Sequence, residues 1–210
     1  MIPCSRYVLL TLRFLSISSY TINWRVMSKL HIELVRIGDV SEDLITKVVE
    51  VIEEAFNLKV ELRNSLEPPV RAYNSLRGQY VADEVLLYVA SKRQSPNAIL
   101  LVIANIDAYV EGLNFVFGVA LPFLNAAAVF IPRLTYFARS HSHVYERIRK
   151  EVLHELGHVF GLSHCKTPGC VMNFSNSVFD VDMKEAAFCI LCAKRLRSKG
   201  VEVSDDYILG

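Results

Sequence analysis

The eleven residues HELGHVFGLSH (154–164) hold three of the chain's six histidines, with one glutamate and two glycines among them. In a helix, residues i and i+4 share a face. His154 and His158 can therefore present two imidazole nitrogens to one zinc ion, each at about 2.0–2.1 Å. Glu155 is turned about 100° around the helix from His154, which suits it to hydrogen-bond a metal-held water better than to be a third ligand. Gly161 accepts the left-handed conformation that ends helices, and His164 can then swing back as the third ligand. Three neutral histidines leave one coordination position open, the mark of a catalytic zinc. The string predicts a zinc hydrolase in which Glu155 is general base to a zinc-bound water. Bare H-E-x-x-H arises by chance, and helical histidines are common as plain core or surface residues. The longer string is more specific because the glycine and third histidine must both fall in register. Gly157 costs about 1 kcal/mol relative to alanine inside a helix, so a tight packing requirement against the floor of the site is expected there.

Cys165 follows the last histidine directly, and Cys170, Cys189 and Cys192 come after it. Cys189 and Cys192 are spaced i, i+3 on an expected C-terminal helix, and Cys165 and Cys170 bracket a KTPG turn. Four thiolates at about 2.3 Å around zinc form a closed tetrahedron, hence a structural site. A redox pair at Cys189–Cys192 and inert buried thiols are the competing readings. Cys4 stands alone. Without a secretory signal, clustered cysteines point to metal and not to disulfides. Met172 lies eight residues after His164; taken alone, a methionine there is ordinary core packing.

Together, the histidine string and the following methionine resemble the metzincin clan of zinc peptidases. The four-cysteine signature threaded through them, HELGHVFGLSHCKTPGCVM…CILC over 154–192, resembles the archaemetzincin family within that clan. The resemblance implies an α/β (α+β) fold: a single metzincin-like domain with a mixed twisted sheet, an active-site helix and a C-terminal helix. It further implies one catalytic and one structural zinc, Met172 as the Met-turn residue beneath the metal, and metallopeptidase activity on peptides or proteins. The strand near 113–121 would then be the edge lining the cleft.

Periodicity supplies elements compatible with that order. Leu30–Ile37 alternates as a strand, and Ser41 caps a helix running to Phe56. Leu58–Leu62 is a short strand, Glu67-Pro68-Pro69 an exposed loop, and Ala82–Ser91 a helix. Ala98–Ala104 reads as a strand covered on both faces. Strands are expected at Leu113–Leu121 and Ala126–Ile131, and a helix over Val144–Phe160. A last helix is expected over Met183–Lys199, with a capping box from Asp182 and Glu185 and Gly200 at its end.

At 210 residues, with 52% hydrophobic and 21% charged residues, the chain suits one globular domain, assigned to residues 27–210. Residues 1–26 carry Arg6, Arg13 and Arg25 and no acid, and read as a disordered extension or misassigned start. Arg13 interrupts their apolar run, which falls short of the about 20 residues a membrane span needs. The formal net charge of +1 gives no reason to expect a nucleic-acid partner. KRLRSK (194–199) reads as a solvated helix end. The chain is expected to be a cytoplasmic monomer. No oxyanion-stabilising residue is assignable among Tyr136, His141, His143, Tyr145 and Tyr207. The rival to a peptidase is a zinc-stabilised binding or regulatory protein with little or no proteolysis.

Overall fold

Two apolar runs form the middle of the sheet. β5 (Ile99–Ala104) and β8 (Ala126–Phe130) are buried at every position, as strands covered on both faces must be. The computed structural model describes residues 30–210; the expectations for residues 1–26 and Cys4 lie outside them. β1 (Ile32–Ile37) runs parallel to β5 and to β2 (Val60–Leu62), and β5 runs parallel to β8. β7 (Gly118–Leu121) pairs antiparallel with β8. The order β2-β1-β5-β8-β7 is the expected mixed sheet, with β7 at one edge.

Strand periodicity divides the core between the two faces. Ile99, Leu101 and Ile103 join the cluster under α1 (Glu42–Phe56) and α4 (His141–Val159). Leu100, Val102 and Ala104 join the cluster under α2 (Ala82–Ala90). Ser41 caps α1 by accepting from Leu44 N–H, and Asn57 ends it in the left-handed region at φ 52°. Among the described residues, no helix is long and apolar enough to cross a membrane.

Three expectations need correction. Residues 113–117 are loop, and only Gly118–Leu121 is strand. Arg77 donates to Leu113 O at 3.1 Å and Asn114 O at 2.9 Å, so side-chain bonds replace a ladder at those two residues, and Val116 N–H donates to Ala108 O. Arg77 also lies over the Tyr109 ring at 3.9 Å. It extends from a three-stranded sheet unforeseen from the sequence: β3 (Tyr73–Asn74), β4 (Gln79–Val81) and β6 (Ala108–Tyr109). Next, a four-residue helix, α3 (Ile131–Leu134), follows β8, and α4 begins at His141 instead of Val144. Ser140 caps it by accepting from His143 N–H at 3.1 Å.

Finally, the single helix expected over 183–199 is two: α5 (Val178–Met183) and α6 (Ile190–Ser198). The capping box belongs to Ser177 and Asp180. Asp182 instead receives both the Nε and Nη2 of buried Arg147 at 2.7 Å, which holds its carboxyl down to about 2. The backbone between the helices bonds elsewhere: Ala187 O accepts from Val171 N–H, and Phe188 N–H donates to Tyr207 O. Tertiary partners thus outcompete helix continuation. Gly200, at φ 77°, follows α6 as expected.

Candidate functional site

Helix α4 positions the first two histidines, and its exit positions the third. Gly161 sits at φ 85°, and Leu162 N–H returns to Gly157 O at 2.9 Å. This reversal brings the His164 ring to 5.3 Å from that of His154 and 4.8 Å from that of His158, centroid to centroid. His154 Nδ1–H donates to Val171 O and His158 Nδ1–H to Leu162 O, both at 2.8 Å. A carbonyl only accepts, so these bonds fix the tautomer and leave each Nε2 lone pair free. The two Nε2 atoms stand 3.1 Å apart, close to the edge of about 3.3 Å in a tetrahedron with 2.0–2.1 Å bonds. Burial keeps all three imidazoles neutral: His154 is held well below its ordinary value, His158 is lowered, and His164 is lowered to about 4. Neutral, converging imidazoles fit a divalent zinc ion. His154 is buried and His164 exposed, so the group opens to solvent on one side.

Glu155 is 5% exposed, and its carboxyl is pushed well above the usual range, first by burial and then by Glu151. It packs against the edge strand: a Cβ on Gly118 would lie 2.5 Å from Glu155 Oε1. The role of Gly118 as the space beside Glu155 follows only from the fold. Gly157 meets its expectation, since a Cβ there would lie 2.5 Å from the sulfur of fully buried Met172. Phe174, unsuspected from the sequence, sets its ring edge-on to His164 at 5.0 Å. Another addition is a buried ion pair, Lys184 Nζ to Glu151 Oε1 at 2.8 Å.

The cysteines form a second group whose sulfurs all lie within 4.8 Å of one another. Cys165 and Cys189 sulfurs are 3.7 Å apart, and those of Cys170 and Cys192 are 3.9 Å apart. Zinc–sulfur bonds of about 2.3 Å imply tetrahedral edges of about 3.8 Å. Cys189, expected inside the last helix, instead caps it in extended conformation, with Cys192 in the first turn. Burial drives Cys170 up to about 11 and Cys192 higher still. At Cys189 hydrogen bonds outweigh burial and lower the thiol to about 6. One negative charge is therefore accommodated at the others' expense, and four thiolates require a cation among them.

The candidates for oxyanion stabilisation are mostly engaged elsewhere. Tyr207 O–H donates to Glu54, Tyr145 O–H donates to Lys47 O, and His143 pairs with Asp182. Tyr136 lies beside the Arg133 guanidinium, and His141 starts α4.

A mixed sheet with an open edge, over which a helix carries paired histidines and a buried carboxyl, defines a zinc metallopeptidase. Comparison with known proteins narrows the class. The chain belongs to Peptidase family M54, the archaemetzincins, whose family profile matches residues 30–198. It is 41% identical over 162 residues to an archaemetzincin of Nanoarchaeum equitans, covering 77% of this chain and 88% of that one. It is 38% identical over 176 residues to that of Saccharolobus solfataricus, covering 81% and 94%. Among solved structures, the archaemetzincin of Archaeoglobus fulgidus complexed with malonate superposes with a TM-score of 0.69 at 33% identity, covering 78% and 99%. That of Methanopyrus kandleri gives 0.70 at 32%, covering 80% and 95%.

Proposed function

We propose that the chain hydrolyses peptide bonds at a zinc ion held by His154, His158 and His164, with Glu155 as general base. A second, structural zinc is held by Cys165, Cys170, Cys189 and Cys192. The observation that carries this reading is the convergence of three neutral imidazoles, open on one side, next to a buried carboxyl on the same helix. A bound zinc would polarise the scissile carbonyl and acidify the attacking water. Glu155 would accept that water's proton and return it to the leaving amine. Burial supports both roles, because a carboxyl with a raised proton affinity holds a proton long enough to deliver it. Met172, packed on Gly157, would hold the floor beneath the histidines. An extended substrate would add to the open edge of β7 by main-chain hydrogen bonds, which aligns its scissile carbonyl beside Glu155.

The test is a metal count on purified protein together with digestion of a broad peptide library. Two zinc ions per chain and cleavage are expected. Two zinc ions without cleavage would favour a binding role, and a single zinc would discard one of the two sites.

Gly118→Ala tests the strand–helix contact. The added methyl must displace the Glu155 carboxyl, and a misplacement of about 1 Å can cost on the order of 10²-fold in rate. A kcat lowered by about that factor, with zinc content unchanged, is expected. An unaltered kcat would show that the carboxyl needs no such placement.

A further inference from the structure

We infer that Lys184 is a positioning residue whose buried ion pair with Glu151 fixes the His164 loop against the helix bearing His154 and His158. The inference rests on the histidines being a metal site, as proposed above.

Lys184 and Glu151 side chains are 2% and 4% exposed. Lys184 Nζ donates to Glu151 Oε1 at 2.8 Å and reaches Asn173 O at 3.3 Å. Glu151 lies on α4 one turn before Glu155. Asn173 follows Met172, and its Nδ2 donates to Cys165 O at 2.8 Å and Thr167 O at 2.9 Å. Cys165 N–H in turn donates to Met172 O at 2.9 Å. A continuous polar path therefore runs from α4 through Glu151, Lys184 and Asn173 to the residue bonded to His164. It is separate from the cysteine sulfurs and from the histidine ring nitrogens.

The place of this pair is poorly explained by stability alone. Desolvating two charges costs several kcal/mol, and apolar pairs of similar volume frequently stabilise a protein as well or better. An apolar pair, however, has no donor for Asn173 O. What the lysine adds is a directed bond that sets the separation between the third histidine and the first two. Groups that orient metal ligands in this way typically contribute 10–100-fold in metal affinity.

The test separates stability from positioning. Lys184→Met alone leaves Glu151 buried and unpaired, so its melting temperature should fall. The double variant Glu151→Leu with Lys184→Met removes both charges and should recover it. Zinc affinity of the histidine site, read by competition with a chelator and metal counting, should stay about 10–100-fold weaker in the double variant. Zinc at the cysteines should be retained. Wild-type affinity at the histidines in the double variant would overturn the inference. If the double variant does not fold, Lys184→Arg, which keeps charge and donors, and Lys184→Gln are compared instead. Affinity closer to wild type in the arginine variant supports the inference, and equal affinity in the two overturns it. Wild-type protein and His164→Ala serve as controls. Equal zinc content in those two would refute the metal reading itself, an outcome distinct from failure of the clamp.

Discussion

Glu155→Gln is expected to lower kcat/KM for peptide hydrolysis by about 10²–10⁴-fold, the usual contribution of a positioned general base, while zinc content stays unchanged. Glutamine fills the same volume, so the packing against Gly118 need not rearrange. The neighbouring histidines are oriented by the Val171 and Leu162 carbonyls and not by Glu155, so their geometry should persist. What is lost is a group able to take and return a proton. Steady-state kinetics paired with metal analysis checks this outcome. Turnover like that of the wild type would remove Glu155 from the chemistry.

Replacing a buried cysteine should have the larger effect on stability. Cys170 is fully buried and Cys192 nearly so, and a serine at Cys170 would remove one ligand from the proposed zinc site. Structural zinc contributes about 10–16 kcal/mol in small zinc modules, and each kcal/mol moves Tm by about 2–4 °C in a domain of this size. Even partial loss predicts a Tm lower by about 10 °C or more, measured by calorimetry, with one zinc missing from the count. Because Cys165 adjoins His164, affinity at the histidines should fall too. The wild-type site has a defined pH sign. Burial pushes the Cys170 thiol up to about 11, so zinc binding there would displace protons and acid would favour release. An unchanged Tm and zinc count in Cys170→Ser would return the cysteines to the status of inert thiols.

Local chemistry made much of this legible in advance. The spacing of His154 and His158 follows from helical pitch, and the reversal at Gly161 from the conformation that glycine permits. The alternation in β1 and the apolar runs of β5 and β8 state which faces are covered. What escaped depended on partners distant in sequence. Residues 184–189 have a helical pattern, yet their backbone bonds to Val171, Tyr207 and Leu209, and no local signal announces that. Leu113–Phe117 look like strand, yet Arg77 takes the carbonyls of Leu113 and Asn114, and Val116 N–H turns to Ala108 O. Gly118 and Lys184 acquire meaning only from the helix that comes to lie beside them.

The edge strand β7 has a consequence for self-association. An uncovered strand invites any chain to pair with it, another copy included, and long flat edges lead to aggregation. Here the invitation is four residues long. Pro122, which has no N–H to offer, ends it, and residues 113–117 before it are loop. A peptide can find enough ladder to be aligned, whereas two folded copies meet too little to propagate a fibre. The same brevity that would leave room for a substrate paired as proposed limits how far a second copy could extend the sheet through this edge.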